Sequence, residues 1–153
     1  MNEQLLKKTK RRMANYCAYR DRAESEVREK LASLELSQEE IDYMVNLLRE
    51  EDFLNEERFA KSFAGGKFRL KKWGKLKIKR ELKNKGLSND LVELGLNEIE
   101  GQAYLETLEE LAQNKFEQYK NEDLLNQKTK VARFLTVKGY ESVLVWGVIN
   151  RLG

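Results

Sequence analysis

The chain has 153 residues, 41% of them apolar and 36% charged, with a net charge of +3, enough for one ordinary domain or a short array of small repeats. It has no histidine and a single cysteine, Cys17, which removes the commonest acid–base and metal-ligating side chain, any internal disulfide and any zinc cluster. It also has no proline, which favours uninterrupted helices joined by short connections.

Neither a GxxxxGKS/T phosphate loop nor a GxGxxG stretch is present, and Gly65-Gly66 before Lys67 lacks the flanking strand and spacing of a phosphate loop. A non-enzyme without cofactor or metal is therefore expected. The apolar run 143–149 is far short of the ~20 residues of a membrane span. The N-terminus lacks the apolar core of a signal peptide, so a cytosolic protein is expected. Cys17, among Met13, Ala14 and Ala18, reads as a buried structural thiol.

Taken in order, residues 3–19 predict a first helix with a basic face of Lys7, Lys8, Lys10, Arg11 and Arg12. That face is either solvated or a partner contact. A second helix over 24–34 turns Val27, Leu31 and Leu34 inward, and Ala23 with Glu26 forms half a capping box, the acid without the hydroxyl. Ser37 and Glu40 form a complete box, opening a third helix with a buried stripe of Ile41, Met44, Val45 and Leu48. Asn55 can cap a fourth helix that faces inward through Phe59, Ala60 and Phe63. Gly65-Gly66 weakens its second half by about 1 kcal/mol per glycine, which predicts a bend or an early end.

A fifth helix over 75–85 is stopped by Gly86, and Ser88 caps a sixth that buries Val92, Leu96 and Ile99. A seventh over 101–120 is expected to turn Leu105, Leu108, Ala112, Phe116 and Tyr119 inward. After a turn at 121–123, an eighth over 124–138 buries Val131, Phe134 and Leu135 and stops at Gly139. A ninth over 141–152 buries Val145, Val148, Ile149 and Leu152. Trp146 and its apolar neighbours read as core of that helix, not as a dimer contact, so a monomer is expected.

The charge is unevenly placed. Residues 67–85 hold ten basic residues and one acid, Glu81, for a local charge of +9; the rest of the chain sums to −6. Such asymmetry points to a polyanionic or acidic partner. The candidate contact residues are Lys67, Arg69, Lys71, Lys72, Lys75, Lys77, Lys79 and Arg80. Ile78 and Leu82, one turn apart, show that part of the stretch also packs on a core. Phe68 and Trp73 interleave with the cations and could stack on bases; the favoured reading is that at least one of them is structural.

The helices also repeat. Aligning Leu31, Leu82 and Leu135 puts Val27, Ile78 and Val131 four residues before. Leu36, Leu87 and Tyr140 fall five residues after, and Ile41, Val92 and Val145 ten after. Val45, Leu96 and Ile149 lie fourteen after, and Leu48, Ile99 and Leu152 seventeen after. Apolar columns held in register at about fifty-residue spacing are a repeat signal. They predict an all-α fold of three tandem three-helix repeats, over 1–52, 53–100 and 101–153, in an elongated, curved array. Copy one has Glu35 where the others have Gly86 and Gly139, so its second helix closes less comfortably. The third helices are acidic or apolar and poor in Arg and Asn, unlike base-reading recognition helices. The positive charge sits on the middle helix of copy two, which suits phosphates or an acidic protein groove.

Four stretches resemble the RecX family, regulators of the RecA recombinase. They are Leu54-Asn55-Glu56-Glu57-Arg58-Phe59-Ala60; Gly74…Ile78…Glu81-Leu82…Lys85-Gly86-Leu87; Arg20-Asp21…Glu24…Glu26-Val27-Arg28…Lys30-Leu31; and Phe134-Leu135…Lys138-Gly139-Tyr140. The first two together are specific. Lys75 and Lys77 stand where the family often has Pro and Arg, supplying charge without the bidentate fork of arginine. Ala23 replaces the usual Ser or Thr cap.

The resemblance implies a cytoplasmic bacterial modulator of recombination, DNA repair and the SOS response. Such a protein binds RecA filaments, lodging in their helical groove, and restrains strand exchange and ATP hydrolysis, with contacts to protein acids and to single- or double-stranded DNA phosphates. The alternative is a sequence-independent DNA-binding protein acting without RecA.

Overall fold

The computed structural model describes residues 2–153, and all regular structure among them is helical. The order is α1 (Glu3–Tyr19), α2 (Glu24–Ser33), α3 (Gln38–Glu50), α4 (Glu56–Lys71), α5 (Lys75–Asn84), α6 (Asn89–Leu96), α7 (Gly101–Gln118), α8 (Leu124–Lys138) and α9 (Ser142–Ile149). The starts follow the capping chemistry. Ser37 and Glu40 exchange hydrogen bonds of 2.8 and 3.2 Å at the head of α3. The Ala23 N–H donates to Glu26 alone, the half box expected of that sequence. Asn55, Ser88 and Asp123 accept from the N–H groups of Arg58, Leu91 and Asn126.

The repeat columns are the core. Val27, Ile78 and Val131 are each 0% exposed, as are Leu31, Leu82 and Leu135. Of the other columns only Leu36 and Leu152 rise to half-buried. Burial of one such aliphatic side chain stabilises by about 1.5–3 kcal/mol, which is why this pattern survives in register. The residue closing each middle helix has a positive φ: 86° at Gly86, 102° at Gly139 and 63° at Glu35. A side chain costs free energy in that region, so the first copy does close less comfortably.

The chain forms two compact units. The first takes the residues up to Ser62 together with Leu82–Gly95, the second Phe63–Glu81 with Leu96–Gly153. In the first, α1 and α2 pack on α3 around Met13, Cys17, Val27, Leu31, Ile41, Met44, Val45, Leu48 and Leu54. Cys17 is 5% exposed, and desolvation raises its pKa, so it is the inert structural thiol expected. The Ser25 hydroxyl donates to the Lys85 carbonyl at 2.7 Å. Gly95 allows close approach to α4, since a Cβ there would stand 2.7 Å from the Ala60 carbonyl oxygen. In the second unit α7, α8 and α9 pack on one another.

Three expectations need correction. Gly65-Gly66 neither bends nor ends α4, which runs on to Lys71. The buried stripe Phe59, Ala60, Ala64 and Phe68 offsets the glycine cost through packing. The buried face of α7 uses Tyr104 (3% exposed), while Leu105 is 42% exposed; Tyr104 is held there by hydrogen bonds that leucine cannot make. Trp146 is not core but 46% exposed, because Val145, Val148 and Ile149 fill the inner positions of α9.

Candidate anion-binding face

All eight predicted contact residues fall in the second unit, on the end of α4, the α4–α5 connection and the start of α5. The connection is built on backbone. The Lys72 N–H donates to the Phe68 carbonyl at 2.9 Å and the Trp73 N–H to the Lys67 carbonyl at 3.3 Å. The Lys72–Phe68 bond closes α4 in the αL manner, with Lys72 at φ 56°. The chain then lies against the α8–α9 turn. The Gly74 N–H donates to the Lys138 carbonyl at 2.8 Å and the Leu76 N–H to the Gly139 carbonyl at 2.9 Å. A Cβ on Gly74 would stand 2.2 Å from the Gly139 carbonyl carbon, so only glycine permits the approach.

Side chains complete the junction. The Tyr140 hydroxyl donates to the Lys72 carbonyl at 2.9 Å and the Lys138 ammonium to the Lys71 carbonyl at 2.9 Å. The Tyr104 hydroxyl accepts from the Lys75 N–H at 2.9 Å and donates to Glu141. Burial, followed by the Glu141 hydrogen bond, pushes the Tyr104 pKa far above its usual value, so the phenol stays a donor. These contacts fix the first turn of α5, which contains no acid, although a helix N-terminus ordinarily favours one.

Three of the cations are placed by aromatic rings instead. Trp73 meets Phe63 edge-on at 6.3 Å, and its ring carries the Lys67 ammonium at 5.0 Å and the Lys77 ammonium at 4.5 Å. The Lys75 ammonium lies 4.8 Å from the Tyr104 ring centre. Such contacts hold a lysine without neutralising it. Arg69 folds back over Gly65. Among the described residues none of the eight is ion-paired to an acid.

Neither aromatic candidate offers a free stacking surface. Phe68 is 8% exposed and packs on Tyr104 at 5.8 Å, and Trp73 is occupied by its lysines. The face therefore suits phosphates or carboxylates, without base readout.

The fold adds two residues that charge runs in the sequence did not single out. The Lys138 pKa is lowered by desolvation and then by Lys77, Lys72, Lys115 and Lys71, so Lys115 from α7 and Lys138 from α8 belong to the same cationic cluster. Lys138 stood in the Lys138-Gly139-Tyr140 stretch as part of a motif, but Lys115 carried no local signal. Lys79 and Arg80 lie outside that cluster, further along α5. Gly65-Gly66-Lys67 is helical and forms no phosphate loop. Among the described residues, no group of three His, Cys, Asp or Glu side chains could hold a metal ion, and no helix is long and apolar enough to cross a membrane.

Comparison with known proteins gives a consistent result. Family models described as the first, second and third three-helix domains of RecX match residues 10–46, 55–96 and 102–149. A "Regulatory protein RecX" of Clostridioides difficile is 26% identical over 99% of this chain and 71% of its own length. One of Clostridium perfringens is 32% identical over 86% of this chain; the match spans 62% of that relative, so part of its length has no counterpart here. The crystal structure of RecX from Lactobacillus salivarius superposes with a TM-score of 0.86 at 25% identity, covering 96% of both chains.

Proposed function

The chain belongs to the RecX family, and from that premise we propose that it is a cytoplasmic regulator that binds RecA–DNA filaments and inhibits RecA in repair and recombination. Three repeats over 1–52, 53–100 and 101–153 form its framework. The observation that carries the reading is the α4–α5 face, where eight cations, three of them held against aromatic rings, have no acidic partner among the described residues. Cations left without acids beside them are what a polyanionic filament surface would engage. The contacts are electrostatic and sequence-independent, so the protein would act at any filament.

The test is co-sedimentation with filaments preassembled on single-stranded DNA, beside binding to the same DNA alone. Filament binding at concentrations well below those that coat bare DNA is the expected result. The same face also favours a second reading, direct DNA binding without RecA. That reading predicts equal affinity for bare DNA and filament, with log affinity falling linearly with log salt.

A further inference from the structure

A surface of the same unit that adjoins the α4–α5 cluster, sharing Lys115 with it, combines cations with apolar area in a different way. Lys115, Tyr119, Lys130, Arg133, Phe134 and Val137 line an open cleft of about 380 Å³ along α7 and α8. That volume falls within the ~300–1,000 Å³ range of pockets that take a compact ligand. Phe134 and Tyr119 are half-buried, and Val137 at the edge is 69% exposed. The Lys115 ammonium sits 4.4 Å from the Phe134 ring centre and the Lys130 ammonium 5.1 Å from that of Tyr119. Lys130 is paired with Glu122 at 2.6 Å, while Lys115 and Arg133 have no acid partner among the described residues.

We propose that this cleft docks an acidic peptide segment of a protein partner that carries a large apolar side chain between its carboxylates. The carboxylates meet Lys115 and Arg133, and the apolar side chain rests on Val137 and the exposed parts of Phe134 and Tyr119. Nucleic acid fits less well. A base needs a whole ring face, which the half-buried Phe134 and Tyr119 under their ammonium groups do not give, whereas an apolar side chain needs only Val137 and the ring edges. The inference stands apart from the filament reading, and its test contains no RecA.

The probe is a fluorescein-labelled peptide, Asp-Glu-Leu-Phe-Glu-Asp, followed by anisotropy. Its control has serine at the two apolar positions and the same charge, and a labelled oligo-dT serves as nucleic acid. The apolar peptide is expected to bind about tenfold more tightly than the control, a margin of about 1.4 kcal/mol. Val137→Glu should remove that margin, and Arg133→Glu should weaken both peptides. Both positions are exposed, and unchanged far-UV circular dichroism will show that the variants fold. Equal binding of the two peptides, or no binding of either, overturns the proposal. So does a Val137→Glu variant that loses oligo-dT binding but keeps the peptide margin.

Discussion

The two compact units use charge in opposite ways. From Arg20 onward, the first unit sets four of its five arginines against acids, Arg22 alone resting on the Tyr16 ring. Arg58 pairs with Asp21 at 2.6 Å and Asp52 at 3.1 Å, and Arg28 with Glu24 and Asp42. Arg49 shares Glu24, while Arg20 and Lys85 converge on Glu26. On α1, Lys10 pairs with Glu51, while Lys7, Lys8, Arg11 and Arg12 stay exposed. In the second unit the α4–α5 cations repel one another and are held by rings and backbone. Charge therefore supports the fold in the first unit and opposes it along the α4–α5 segment of the second, although elsewhere in that unit Lys130 pairs with Glu122 and Arg151 with Glu109. Of the two stretches that together identify the family, Leu54 to Ala60 lies in the first unit, where Arg58 does structural work, while Gly74 to Leu87 begins in the second and carries Lys75, Lys77, Lys79 and Arg80 of the candidate face.

The comparison breaks most severely at Gly74. Gly74→Ala drives a Cβ into the Gly139 backbone, with no flexible side chain to give way. It should cost about 3 kcal/mol or more, the upper range for overpacking. Both tryptophans, Trp73 and Trp146, lie in the second unit. A denaturant melt followed by tryptophan fluorescence therefore reads this loss directly.

Arg58→Ala is the corresponding break in the first unit. Arg58 also donates to the carbonyls of Asp52 and Phe53. Its side chain is 40% exposed, so each ion pair counts for at most about 1 kcal/mol after screening. The expected loss is about 1–2 kcal/mol, seen by far-UV circular dichroism with little change in tryptophan fluorescence below the transition.

Titration should separate the units by sign. Burial alone would raise the pKa of Glu26, but hydrogen bonds from Arg20 and the Ala23 N–H, with Lys85 nearby, carry it below the usual 4.5. Glu24 is lowered in the same way by Arg28 and Arg49. Depressed carboxylates contribute stability that is fully present above the unfolded value of 4.5 and is lost as pH falls through the folded values. Lys138 is depressed too, but as a base. It binds its proton less readily when folded, so the second unit gains stability as pH rises through the folded value toward the ordinary 10.5. Tyr104 and Tyr140, both raised by burial, work the other way above the ordinary phenol value of 10.0, where the unfolded chain gives up their protons first. Chemical melts should therefore show acid weakening the circular dichroism transition, and alkali strengthening the tryptophan transition only up to about pH 10. A shared dependence of one sign would count against the contrast.

The smallest effect sharpens the comparison among repeats. Glu35→Gly places glycine at φ 63°, as in the other two copies. The relief of that conformation, less the entropy glycine adds to the unfolded chain, should leave a gain of about 0.5 kcal/mol, visible as a higher denaturation midpoint.

Helix order, caps and the repeat core were readable from residues alone, because each depends on chemistry within a few positions of the chain. Ser37 and Glu40 cap each other wherever α3 goes, and Leu31, Leu82 and Leu135 announce themselves by spacing. What escaped depends on neighbours remote in sequence. Nothing near Tyr104 indicates that Lys75 and Glu141 satisfy its hydroxyl, so Leu105 looked the better core residue. Nothing near Gly65 reveals that packing keeps α4 intact. The eight cations were visible as a charge run, but the aromatic mounts of Lys67, Lys75 and Lys77 and the added Lys115 required the fold.

The central claim is that the α4–α5 face acts on the filament. The most direct test is ATP hydrolysis by the cognate recombinase on single-stranded DNA, with this chain titrated at substoichiometric levels beside a Lys75→Glu, Lys77→Glu, Arg80→Glu triple variant. The prediction is inhibition by the parent chain well below the concentration that coats the DNA, and its loss in a variant that melts like the parent. Full inhibition by the folded variant would contradict the account.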